Sequence, residues 1–178
     1  MAEQVGTQAF ATMSEPIFIA ANMTDLFKPK REMSLELLTI QSVVGPIGQP
    51  ATETVYPPIV TEDGSPMNAM HSHDVTMSAD AMPPAKAFWS ATLYGCENGF
   101  FLPNEHFKHR VGENAEFKLD SEDGIRIVIS PERPEGVPQE NWLPTPRGDY
   151  GIYIIMRLYS PNLEQFSNWP PPIARKLD

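Results

Sequence analysis

From Tyr150 to Tyr159 the chain alternates without a break. Ile152, Ile154, Met156 and Leu158 fall on one face, and Tyr153, Ile155, Arg157 and Tyr159 on the other. A period of two is the mark of a β-strand, and apolar residues on both faces predict a central one. Lys86 to Tyr94 reads as a second strand, with Gly99 to Asn104 as its hairpin partner across the polar connection Glu97-Asn98-Gly99. Glu116–Leu119 and Ile125–Ile129 predict another hairpin around Ser121-Glu122-Asp123-Gly124, with Ile125, Ile127 and Ile129 sharing a face. Shorter strands are expected at Thr54-Val55-Tyr56, stopped by Pro57-Pro58, and from near Met70 to Met77 after the turn signal Glu62-Asp63-Gly64.

The periodicity ahead of these strands is helical. Arg31 to Val44 carries Leu37, Leu38, Ile40, Val43 and Val44, and it stops at Gly45-Pro46, a glycine cap followed by a helix breaker. Glu15 to Phe27 gives a second helical candidate opening at Pro16, although Ile17-Phe18-Ile19 fits a short strand equally well. The pattern divides the chain into an N-terminal helical segment, residues 1–49, and a β-domain, residues 50–178. The fold class expected is all-β, a jelly-roll-type β-sandwich with the N-terminal helical segment packed beside it.

Composition sharpens this picture. Nineteen prolines and eleven glycines in 178 residues demand many turns and strand edges, which suits an all-β fold. A formal charge of −10 sets the chain against nucleic acid and anionic membrane surfaces as partners. Cys96 is the only cysteine, so no internal disulfide and no thiolate metal site can form, and with no basic neighbour it reads as an idle thiol. The opening Met1-Ala2-Glu3-Gln4 lacks the basic and apolar regions of a secretory signal, and no run approaches the eighteen apolar residues of a membrane span. The expectation is a soluble, cytoplasmic protein.

Several separated segments resemble one family. They are Tyr56-Pro57, Asp63-Gly64, Pro83-Pro84-x-Lys86-Ala87-Phe88-Trp89-Ser90, Thr92-Leu93-Tyr94, Gly99-Phe100, Asn141-Trp142-Leu143-Pro144, Arg157-Leu158-Tyr159 and the closing Trp169-x-Pro171-Pro172. Together they are similar to the domain of unknown function 1214 family over about two thirds of the chain, from Thr54 onward. The resemblance implies a jelly-roll β-sandwich with a helix beside it. It also implies a domain that often follows a companion domain, of which this chain reads as a stand-alone copy; it implies no reaction. The chain departs from the family pattern at His71-Ser72-His73 and Phe107-Lys108-His109, where histidine stands in place of the family's tyrosine at 73 and 109.

Three constellations could carry chemistry. All four histidines fall in two pairs, His71 with His73 and His106 with His109, with Asp74 and Glu105 nearby. On a strand, positions two apart project together, and neutral imidazoles suit zinc, copper, iron or nickel. A divalent transition metal is therefore the one cofactor the sequence suggests; the competing reading is solvated histidines titrating near pH 6.5. Trp142, on a loop beside Asn141 and Glu140, could stack a sugar ring while its neighbours hydrogen-bond it, or it could anchor the loop to the core. Arg157 in a central strand needs a counter-charge: an ion pair with Glu140 or Asp149 is the first expectation, and a ligand anion the second. No nucleophile elbow, phosphate-binding glycine loop or dinucleotide fingerprint is present.

The favoured function is a binding or accessory domain that holds a small molecule, a saccharide among the candidates, in a cleft lined by Trp142 and tyrosines, with Asn141, Glu140 and Arg157 as ligand contacts. A metal-dependent enzyme using His71, His73, His106 and His109 is the second reading. A structural partner subunit for a companion protein domain is the third. Homo-oligomers remain open, since no segment marks an interface.

Overall fold

The alternation near the C-terminus becomes the longest strand pairing in a computed structural model that describes Thr7, Asp25, Leu26 and residues 28–44 and 48–178. Helix α1 (Leu35–Val44) precedes strands β1 (Thr54–Val55), β2 (Pro58–Ile59) and β3 (Met67–Asn68). Strands β4 (His73–Met77), β5 (Ala85–Gly95), β6 (Arg110–Gly112) and β7 (Ile125–Ser130) follow. Then come β8 (Trp142–Pro144), β9 (Gly151–Pro161), the single helical turn α2 (Leu163–Phe166) and β10 (Ala174–Lys176).

Strand β9 is the hub of a six-stranded sheet. On one side it pairs antiparallel with β5, from Phe88 opposite Tyr159 to Gly95 opposite Ile152. On the other side three short strands take turns, with Thr54 opposite Tyr159, Pro58 opposite Ile155 and Met67 opposite Ile152. This edge is broken where Pro57 and Pro58 cannot donate a hydrogen bond and where Gly64, at φ 81°, turns the chain. Strand β6 closes the far edge of β5. The second, four-stranded sheet runs β10–β4–β7–β8, with β8 parallel to β7 and the other pairs antiparallel.

The inner faces of both sheets fill one core. Ile152, Ile154, Met156 and Leu158 of β9 are fully buried with Val75, Ile125, Ile127, Ile129 and Leu143 of the second sheet. Each such side chain stabilises the fold by roughly 1.5–3 kcal/mol relative to exposure. Trp89, Ala91 and Leu93 of β5 join them, as the sequence pattern requires, and Leu37 and Ile40 of α1 pack against the same cluster. The described residues are thus mostly β, two sheets with few helices. Among the described residues no helix is long and apolar enough to cross a membrane.

Several expectations change. Helix α1 starts at Leu35 rather than Arg31, because the Ser34 hydroxyl accepts the Leu37 N–H at 3.2 Å and caps the first turn there. Its Gly45-Pro46 stop, and the Glu15–Phe27 segment apart from Asp25 and Leu26, lie outside the described residues. Gly99–Asn104 does not form a strand. Gly95 donates to the Phe100 carbonyl, Gly99 turns at φ 70°, and Pro103 has no N–H to offer a ladder, so β5 pairs with β6 instead. Glu116–Leu119 is not a strand either: Glu116 sits at φ 55°, and the Asn141 side chain takes the main-chain bonds of Lys118. Residues 70–72 turn before β4, Trp142 lies in strand β8 rather than a loop, and the proline-rich tail ends as strand β10 against β4.

Candidate ligand groove on the outer face of the larger sheet

Strand β9 buries alternate residues, and the antiparallel register of β5 aligns its own alternate residues with them, so the remaining side chains of both strands form a second, outward face. Ser90, Thr92 and Tyr94 come from β5, and Tyr153, Ile155, Arg157 and Tyr159 from β9. The register sets the rows: Ser90 lies between Arg157 and Gly112, and Thr92 between Ile155 and Arg110. Gly112 must be glycine, since a Cβ would stand 2.4 Å from the Trp89 carbonyl oxygen and 2.6 Å from Ser90 Cα. The connection from β5 to β6 then folds over this face, and together they enclose a groove of about 410 Å³.

That connection is held by side chains rather than by a ladder. The Asn104 amide donates to the Leu102 and Lys108 carbonyls and accepts from the Lys108 N–H, while Phe107 turns at φ 50°. The Lys108 ammonium donates to the carbonyls of Gln139 and, at 2.8 Å, Glu140. Burial lowers the pKa of this lysine, and the Glu140 charge offsets part of that. The loop is therefore braced from within by Asn104 and tied to the rest of the fold by Lys108, with Phe101, Phe107 and His109 along the groove wall.

Aromatic rings run continuously across the site. Tyr153 stacks on Tyr94 (5.5 Å between centroids), Tyr94 on Phe101 (5.3 Å) and Phe101 on His109 (4.8 Å, 7° between planes). Burial, with Cys96 and Tyr94 beside it, pushes the Tyr153 hydroxyl up to about 12 against the pull of Arg157, so it remains a neutral phenol. At the other end Tyr159 stacks on Phe88 at 4.3 Å.

Arg157 projects between these aromatic groups. Its Nη2 donates to the Tyr94 hydroxyl at 2.6 Å, and its guanidinium carbon lies 5.6 Å from the Tyr94 ring centre. The expected ion pair is not formed. Glu140 faces Lys118 at 3.8 Å from beside β8, and Asp149 accepts from Asn68 ahead of β9, about 25 Å back along the strand at ~3.3 Å per residue. Among the described residues Arg157 meets no carboxylate, and neither does Arg110. The groove thus presents Arg110, Arg157 and His109 with no acidic lining residue among the described residues, in a chain of net charge −10. A neighbouring cavity of about 440 Å³ shares Phe107, His109 and Arg110 but also contains Glu116 and Glu140.

The other candidate residues are distributed differently. Trp142 is 4 % exposed, and its indole N–H donates to the Ser130 carbonyl and hydroxyl, both at 3.1 Å. Asn141 is 3 % exposed, with both amide atoms bonded to the Lys118 main chain. Of the four suggested ligand contacts, Arg157 lines the groove and Glu140 the neighbouring cavity, while Trp142 and Asn141 line neither. His71 lies in the bend before β4, 3.7 Å from Asp178, and does not share a strand with His73. His73 is 3 % exposed, its Nδ1 has no partner, and burial lowers its pKa. His106 meets Trp142 edge-on at 4.9 Å. Among the described residues no three His, Cys, Asp or Glu side chains are grouped to hold a metal ion.

Tyr94, Tyr159, Ser90, Thr92 and Arg110 were not singled out by the sequence reasoning. The signal for the first four was present: pairing the two longest alternating runs antiparallel brings their outward residues together. Arg110 arrives only through the pairing of β6 with β5, and a strand of three residues is too short for alternation to disclose.

A solved structure shares this architecture. The VPA0106 protein from Vibrio parahaemolyticus superposes with a TM-score of 0.68 at 22 % identity, over 94 % of this chain and 43 % of its own. This chain therefore spans less than half the length of that protein, and at such identity the likeness concerns the fold. An uncharacterised protein from Burkholderia cenocepacia aligns with 70 % of this chain and 28 % of its own, at 17 % identity and a TM-score of 0.43. Curated proteins include no significant match. The family model described as protein of unknown function (DUF1214) matches residues 53–163, from just before β1 to the first residue of α2, and the chain belongs to that family.

Proposed function

We propose that this chain is a small-molecule-binding or accessory domain whose ligand lies in the groove on the outer face of the six-stranded sheet. Arg157 carries the reading. It is a half-buried charged side chain in the middle of the central strand, tied to the protein by a single tyrosine hydroxyl. A guanidinium has five N–H donors, and its remaining ones have no protein acceptor among the described residues. Such a group is stabilised by water or by a ligand.

The surroundings support the same reading. Tyr94, Phe101 and Tyr159 supply ring faces, Ser90, Thr92 and Asn114 supply hydrogen-bonding groups, and about 410 Å³ falls within the usual range of small-molecule sites. This mixture suits a saccharide or another flat polar molecule. Two sheets sharing one core further support a jelly-roll sandwich, with residues 50–178 as its folding unit and residues 1–49 as an added helical segment.

Backbone amide NMR with a panel of monosaccharides and small aromatic compounds tests the reading. Shifts concentrated at residues 90–94, 107–114 and 157–159 are expected. Shifts centred on Trp142 and Ser130, or none across the panel, would count against it.

A further inference from the structure

Resting on that assignment of the groove, we infer that its ligand is an organic oxyanion: a carboxylate or phosphate carried on a flat body. Arg157 and Arg110 hold the anionic end, and the aromatic wall holds the rest. The inference comes from charge that the fold leaves uncompensated. The chain has 23 acidic residues against 13 lysines and arginines, yet among the described residues no acidic side chain lines the groove. The nearest in sequence, Glu113, is turned away to accept the Trp89 N–H at 2.9 Å. Two arginines without carboxylate partners among the described residues therefore face a single cavity in a strongly acidic protein.

Geometry gives both arginines access to one ligand. Arg110 sits across β5 from Ile155, and Arg157 sits one row along, opposite Ser90. Strand spacings of ~4.8 Å and a row offset of two residues separate their Cα atoms by about 12 Å. Two extended arginine side chains span that distance with an anion between them. The Tyr94 hydroxyl occupies one Nη of Arg157 and orients the fork, so the free edge can take two oxygens of a carboxylate or phosphate side by side. Ser90 and Thr92, beneath the fork, are buried hydroxyl-bearing residues on the same face. Apolar walls raise the value of this charge, because field lines concentrate in a cleft of low polarisability. Phe101 and Phe107 are 54 % and 88 % exposed, so the wall also offers apolar surface that a ligand body would cover.

Calorimetric titration with phenyl phosphate, benzoate and neutral phenyl β-glucoside separates charge from shape. Both anions are expected to bind, with the glucoside at least roughly tenfold weaker, a difference of about 1.4 kcal/mol. Arg157→Gln and Arg110→Gln should each weaken the anions by a similar factor, and the glucoside by clearly less. Anion affinity should also fall as salt is added. If the glucoside binds as tightly as the anions, is indifferent to both arginine variants and is lost in Tyr94→Ala and Tyr159→Ala, the oxyanion inference is overturned while the groove stands. If none of the three binds at millimolar concentration, or the anions bind equally well to all four variants, both are overturned. Should Arg157→Gln fail to fold, Arg110→Gln at an exposed edge position gives the same readout.

Discussion

Replacing Trp142 asks whether the Asn-Trp-Leu-Pro segment anchors the fold or meets a ligand. The side chain packs with Val128 and Val137 in a small apolar cluster, and its N–H is shared between two oxygens of Ser130. Trp142→Phe keeps a ring and removes the donor. One hydrogen bond is worth a net ~0.5–1.5 kcal/mol, and Ser130, itself 3 % exposed, would keep the Thr145 N–H on its carbonyl and its own hydroxyl bond to the Glu132 carbonyl. Adding the buried surface lost with the smaller ring gives a total of roughly 1–3 kcal/mol. Trp142→Ala removes the whole side chain from a buried site and should cost roughly 3–5 kcal/mol. Urea unfolding at neutral pH, followed by circular dichroism, reads both losses as a lower midpoint at unchanged slope. Phenyl phosphate affinity should be the same in Trp142→Phe as in the parent. Both variants lying within about 0.5 kcal/mol of the parent, or Trp142→Phe losing ligand at full stability, would refute the reasoning.

Other consequences follow from single contacts. Burial holds the His73 pKa below its ordinary 6.5, so the unfolded chain takes up a proton more readily than the native one. This contribution to stability is complete above about pH 6.5 and is lost as pH falls through the lowered native value; His73→Phe should flatten that part of a urea-midpoint profile, and an unchanged slope would contradict it. Gly112→Ala forces a Cβ into the β5 backbone, and thermal unfolding should show a loss of roughly 1–3 kcal/mol. Lys108→Met frees the loop from Gln139 and Glu140. Hydrogen exchange should quicken at residues 104–109, with a stability loss of roughly 1–3 kcal/mol and weaker groove binding.

What the sequence disclosed was what periodicity encodes. Strand β9 could be drawn almost residue by residue, because a period of two over ten residues fixes both faces, and Trp89 in β5 could be assigned to the core. Strands defined by partners rather than pattern could not be read: β10 exists because the tail lies beside β4, and β8 because Trp142-Leu143-Pro144 runs parallel to β7. The apparent hairpin at Gly99 failed for a local reason, since a good turn signal does not supply the donors that Pro103 lacks. The site divided in the same way. Arg157 stood out as a charge in an apolar strand, whereas Trp142 and Asn141 looked available until their partners Ser130 and Lys118 were seen. Tyr94 and Arg110 became meaningful only once β5 was placed between β9 and β6.

A crystal structure of the protein soaked with phenyl phosphate tests the central claim most directly. The account predicts phosphate oxygens within hydrogen-bonding distance of Arg157, with the phenyl ring against Tyr94, Tyr159 or Phe101. Phosphate bound elsewhere while the groove holds only water, or an acidic side chain of the protein paired with Arg157, would contradict it.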